Sequence, residues 1–235
     1  MNTLPFRTIS ITPATFLARM LVTLSLYLVC LPVFESIRTT LPTDSLISFF
    51  FILLFFYIAW TSLAKDGSDF ASFGMTLEGW PRQVGRALLF TAPILLLILG
   101  VKLAHISLHP EKLDLFEPER VLKGIGGATW VHWALFAGTY VLLCFAQEFV
   151  RCVTQGSLAR FYRDSGQPDR WRSVVVTNMV FAATHVHLSA WFALMAFVPG
   201  LFWGWLYQRE RSYLGVALSH ALTGCWVLFV LGVPE

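Results

Sequence analysis

Val141 to Phe161 reads VLLCFAQEFVRCVTQGSLARF, a hydrophobic helix pattern that carries Gln147, Glu148 and Arg151 before it has finished. Val150, Val153, Leu158 and Phe161 keep an apolar stripe at helical spacing beyond the arginine, and an isolated Gly156 is tolerated in a helix, so one helix is predicted to continue to Phe161. Three residues apart, Glu148 and Arg151 share a face of that helix. In a soluble protein such a glutamate means little. In a bilayer an uncompensated carboxylate costs at least a few kcal/mol, so it is by default a functional hypothesis with a partner to find. Two later apolar stretches offer partners: Phe181 to His187 reads FAATHVH and Leu218 to Gly224 reads LSHALTG, which brings in His185 and His220.

Composition sets the class around that helix. With 56% hydrophobic and 13% charged residues and a mean hydropathy of +0.65, the 235-residue chain cannot present the mixed charged surface of an ordinary soluble domain, which uses about 25% charged residues. The reading is a single integral membrane domain over residues 1–235, an all-α polytopic bundle of about seven to eight transmembrane helices. A formal charge of +3 gives no basic stripe for nucleic acid. Cys30, Cys144, Cys152 and Cys225 lie in or beside apolar runs without CxxC spacing and read as buried small hydrophobes.

Seven apolar spans follow: Met20 to Phe34, Ser45 to Leu63, Ala87 to Leu103, Thr129 onward, Val174 to Leu188, Trp191 to Tyr207 and Leu214 to Leu231. Lys65 to Arg86 reads as a polar loop with an interfacial helix around Trp80, with room for an eighth, re-entrant segment. His105 to Gly127 reads as the longest exposed loop, ended by Gly124, Gly126 and Gly127. This threading puts twelve of the 17 Lys and Arg residues on the side of Arg7 and Arg19, and five (Arg38, Lys102, Lys112, Arg120 and Lys123) on the other. A cytoplasmic N-terminus follows. At about 1.5 Å per residue, His185 would lie roughly 15–18 Å along the fifth span and His220 roughly 9–12 Å along the seventh, both well inside the membrane. His187, two residues on from His185, would point away and sit at the interface.

The order Glu148, FxxxH at Phe181 to His185, and His220 resembles the CAAX protease and bacteriocin-processing family of intramembrane glutamate-type peptidases. The likeness covers residues 129–232, including Gly200 to Leu222, GLFWGWLYQRERSYLGVALSHAL. The family pattern is EExxxR on one helix, FxxxH on a later one, and a last helix in which His is followed four residues on by Asn or Asp. Here Gln147 replaces the first glutamate, Cys152 occupies the arginine position with Arg151 one residue early, and Gly224 replaces the terminal Asn or Asp. The resemblance implies that Glu148 and His185 activate water and that His220 stabilises the oxyanion. Gln147, Arg151, Asn178 and Thr223 are supporting candidates, Asn178 and Thr223 as replacements for the donor missing at Gly224.

The function expected from this resemblance is an intramembrane CAAX-type endopeptidase that hydrolyses a peptide or protein substrate near the cytoplasmic membrane interface. No cofactor is needed for a base, a proton for the leaving amine and donors to the oxyanion. Zinc is the alternative, since Glu148, His185 and His220 form a His₂Glu set of the type catalytic zinc uses, although no HExxH helix is present. The alternative function is a catalytically inactive relative, silenced by Gln147, that binds a membrane protein or peptide in an immunity or chaperone role. A proton-relaying transporter ranks last, since no inverted repeat is evident. The expected partners are the bilayer and a substrate entering from it, and the expected location is a bacterial inner membrane.

Overall fold

The computed structural model describes residues 12–37, 43–66, 70–109, 114–118, 122, 129–167 and 169–232. Among them are seven α-helices: α1 (Pro13–Ile37), α2 (Thr43–Asp66), α3 (Trp80–Leu108), α4 (Trp130–Asp164), α5 (Arg170–Ala183), α6 (Ala190–Glu210) and α7 (Tyr213–Cys225). A π-helical turn, Trp226–Val230, continues α7. No strand occurs among the described residues. Among the described residues, five segments are long and apolar enough to cross a membrane: Pro13–Val33, α3, α4, α6 and Tyr213–Val230. Their outward faces are apolar, with Val29 and Leu142 each 73% exposed, an arrangement lipid tolerates and water does not. The protein is an all-α membrane helix bundle.

Three expectations shift. The polar stretch before the third span holds a single turn of 3₁₀ helix, Phe70–Phe73, and Arg82 to Arg86 already belong to α3. Gly79 takes the left-handed conformation (φ 63) that starts α3, and Pro81 occupies its first turn, where a missing N–H costs nothing. At the other end α3 runs on to Leu108, so Lys102 and His105 are helical and not part of a loop. Lys102 is buried and donates Nζ to the Leu231 carbonyl. It therefore caps a helix end and does not mark a membrane side. Third, α5 stops at Ala183, and His185 falls in the turn that follows it. The N-terminal arm to Ile11, Arg38, Lys112, Arg120, Lys123, the glycines at 124, 126 and 127, and the last three residues lie outside the described residues.

The chain gathers into two compact units, with the division inside α4 between Glu148 and Phe149. The first contains residues 1–76 and 149–211. In it, α4 and α6 meet through polar side chains on one helix and glycines on the other. Arg151 Nη2 donates to the Gly200 carbonyl at 2.6 Å, and Gln155 Nε2 donates to the Gly204 carbonyl at 2.9 Å. Small residues let helix backbones approach, and polar side chains that reach them are satisfied without water. Asn178 on α5, fully buried, donates to the Phe197 carbonyl at 2.6 Å and fills the space a side chain at Gly200 would need. Phe73 packs on Gly156 in the same way, and the Tyr207 hydroxyl donates to the Phe73 carbonyl at 2.9 Å.

The second unit contains residues 77–148 and 212–235. Here α7 runs parallel to α3: Thr91 donates to Ser219 Oγ at 2.7 Å, Trp226 Nε1 donates to the Leu95 carbonyl at 3.1 Å, and Lys102 meets Leu231. The first half of α4 runs antiparallel to α7. Tyr213 donates to the Phe145 carbonyl at 3.0 Å at one end, and Trp133 Nε1 donates to the Phe229 carbonyl at 3.3 Å at the other. These contacts fix the register in which Glu148 and His220 meet.

Candidate active site

Glu148 reaches its position because α4 continues unbroken for 35 residues through the polar run, as the apolar stripe requires. His220 sits in the second turn of α7, whose first turn is set by Ser212 accepting from the Gly215 amide at 2.9 Å. His220 Nδ1 and Glu148 Oε1 are 2.8 Å apart, with the side chains only 6% and 1% exposed. A carboxylate accepts and an imidazole N–H donates, so Nδ1–H points at the glutamate and Nε2 faces the other way. This buried pair joins residues 72 positions apart in sequence. Burying either group alone would cost several kcal/mol, and the pairing offsets part of that cost.

His185 belongs to the first unit. Its Nδ1 donates to the Phe181 carbonyl at 2.8 Å, and its ring stacks on Phe192 with centroids 5.8 Å apart. The FxxxH spacing is thus a helix-ending device: the His185 ring captures the carbonyl of the residue four before it, and the Thr184 hydroxyl donates to the same carbonyl at 2.7 Å. Arg151 places its guanidinium 4.6 Å from the centre of the Phe181 ring, within cation–π range. His187 is held by a residue of another helix. Its Nδ1 lies 2.8 Å from the hydroxyl of Tyr27, which is buried to 1% exposure on α1.

The remaining candidates separate by what they already do. Gln147 is half-buried on α4. Thr223 donates to the Ser219 carbonyl within α7 at 2.9 Å, and Asn178 is committed to Phe197, so both serve helix packing. Tyr140 stands beside the Glu148–His220 pair. Its ring stands edge-on to His220 with centroids 6.5 Å apart, and its hydroxyl occupies the place a side chain at Gly224 would take. Gly224 itself was the available signal, because a glycine where the pattern has a polar side chain leaves room for a neighbour. Among the described residues, no three His, Cys, Asp or Glu side chains are arranged to hold a metal ion.

Residues 128–226, which contain Glu148, His185 and His220, match the family model described as type II CAAX prenyl endopeptidase Rce1-like. No curated protein and no solved structure matches the chain. Residues 128–226, which include the buried Glu148–His220 pair, are thus similar to the type II CAAX prenyl endopeptidase family.

Proposed function

We propose that this protein is an intramembrane endopeptidase of the glutamate type, with Glu148 as general base and His220 as its hydrogen-bonded partner. The observation that carries this reading is the buried 2.8 Å contact between them, inside the segment that matches a protease family. A carboxylate has lone pairs on two oxygens, so accepting from His220 does not exhaust its capacity to take a proton from water. Water oxygen attacks the peptide carbonyl carbon, its proton passes to Glu148, and the carbonyl π electrons move to oxygen. When the pair is ionised, His220 Nδ1–H holds the carboxylate and Nε2–H donates to the oxyanion. The C–N bond then breaks as the nitrogen takes the proton from Glu148, which restores the starting state.

His185 carries over from the family pattern as a second water-activating group, supported by its FxxxH setting. The substrate class is a peptide or protein segment presented from the membrane. CAAX processing would make it a C-terminal segment following a prenylated cysteine.

The test uses the 235-residue chain in liposomes with two quenched fluorogenic peptides, one carrying S-farnesyl cysteine before its last three residues and one unprenylated. A general base is worth about 10²–10⁴-fold, and Glu148→Gln is expected to lose that much turnover while still binding peptide. Chelator should leave the wild-type rate unchanged. Cleavage that survives Glu148→Gln contradicts the reading, and loss of cleavage with chelator redirects it to zinc. Gln147 in place of a glutamate motivates a second reading, a non-catalytic peptide binder, and peptide binding by a wild-type chain that cleaves neither peptide would support it.

A further inference from the structure

We propose that the Tyr140 hydroxyl is the second oxyanion donor of this site, taking the place of a side chain at position 224. This rests on the peptidase reading of Glu148 and His220. Three observations converge on it. The glycine at 224 is one helical turn beyond His220 on α7, and a Cβ built there overlaps the Tyr140 hydroxyl and ring. The Tyr140 ring stands at 85° to the His220 imidazole with centroids 6.5 Å apart. On its own helix, Tyr140 is one turn before Cys144 and two turns before Glu148.

The chemistry fits the position. A tetrahedral intermediate concentrates charge on one oxygen, and a single donor from His220 leaves part of it unsatisfied in a site where water is scarce. A phenol donates through one O–H and is held by a rigid ring with two torsions, so it is pre-aimed at little entropic cost. A neutral hydroxyl that meets an oxyanion gains a charge-assisted hydrogen bond at the moment charge develops. No proton leaves the phenol: the hydroxyl donates a hydrogen bond while the carbonyl electrons reside on oxygen and again when they return. Gly224 and Tyr140 are therefore one device, in which the lost side chain makes room for the gained hydroxyl.

The experiment measures kcat and KM with the two fluorogenic peptides, together with thermal unfolding, for wild type, Tyr140→Phe, Tyr140→Ala, Glu148→Gln and Tyr140→Ala/Gly224→Asn. Loss of one oxyanion donor is worth about 10²–10³ in kcat, so Tyr140→Phe should fall by that factor with KM and unfolding temperature unchanged. Tyr140→Ala/Gly224→Asn should recover turnover relative to Tyr140→Ala, since it moves a donor back onto α7 in the space vacated by the ring. Wild-type kcat in Tyr140→Phe overturns the proposal, as does a loss matched by lower unfolding temperature with no recovery in the double variant. If Glu148→Gln abolishes cleavage while Tyr140→Phe does not, Tyr140 alone is refuted. If wild type does not cleave, or Glu148→Gln cleaves normally, the peptidase reading falls and this proposal with it.

Discussion

Arg151 donates to the Gly200 carbonyl at 2.6 Å, and one turn further along both helices Gln155 repeats the contact with Gly204 at 2.9 Å. The family arginine sits one residue later in the motif, and this arginine is used to bind α4 to α6. Replacing it by Lys removes the planar fork and the ring stacking while keeping the charge. Arg151→Lys and Arg151→Met should each destabilise the detergent-solubilised protein by about 1–3 kcal/mol, read as a lower unfolding temperature. If both variants unfold like wild type while losing turnover, Arg151 acts at the chemical step.

Gly200 is tight for a different reason. A methyl group there would overlap the Asn178 amide, which is buried and already bonded to Phe197. Overpacking a close helix contact costs about 1–3 kcal/mol. Gly200→Ala should show that loss in thermal unfolding, and Gly138→Ala, where a Cβ meets nothing within 4 Å, should not.

Tyr27 and His187 form a long-range polar contact of the first unit at 2.8 Å, with the Tyr27 hydroxyl also donating to the Thr184 carbonyl at 3.0 Å. Tyr27→Phe and His187→Ala should each cost about 0.5–1.5 kcal/mol. Because they share one network, the double variant should cost less than the sum, by a coupling of about 0.5 kcal/mol or more. Strict additivity in unfolding would show that the contact contributes nothing in solution.

Gln147→Glu restores the glutamate pair of the family pattern beside Glu148. With Glu148 as the working base, the native chain should already cleave, and the added carboxylate should raise the cost of ionising its neighbour. The substitution is therefore expected to leave kcat equal or lower. Cleavage that appears only in Gln147→Glu would identify the native protein as a decayed enzyme.

The sequence made α4 legible to its end, because Val150, Val153, Leu158 and Phe161 keep one apolar face through a polar run and nothing in it breaks a helix. It did not show where α5 stops. FAATHVH is apolar enough to read on as helix, but Thr184 and His185 both turn back on the Phe181 carbonyl, and the His185 amide bonds the Ala182 carbonyl instead. Such side chain to backbone competition is local and specific, and periodicity is blind to it. Lys102 was misplaced for a related reason: a lysine near a span's end reads as a loop marker, and only the register of α3 against α7 reveals the Leu231 carbonyl waiting for it.

At the candidate site, Glu148 and His220 were singled out from residue type and membrane setting, since either one buried alone is costly. That they would touch each other was not legible, because it depends on how α4 and α7 cross. Tyr140 was hidden more deeply. A tyrosine in an apolar helix reads as packing, and its meaning comes from Gly224, 84 positions away in the sequence.

The most direct measurement of the pair is a double-mutant cycle on turnover: Glu148→Gln, His220→Ala and both together, with the same peptides in the same liposomes. Residues that act as one unit give losses that do not multiply. The expected result is a double variant no slower than the worse single variant. Losses that multiply in full would show that Glu148 and His220 act independently, and would contradict a base held and aided by its histidine.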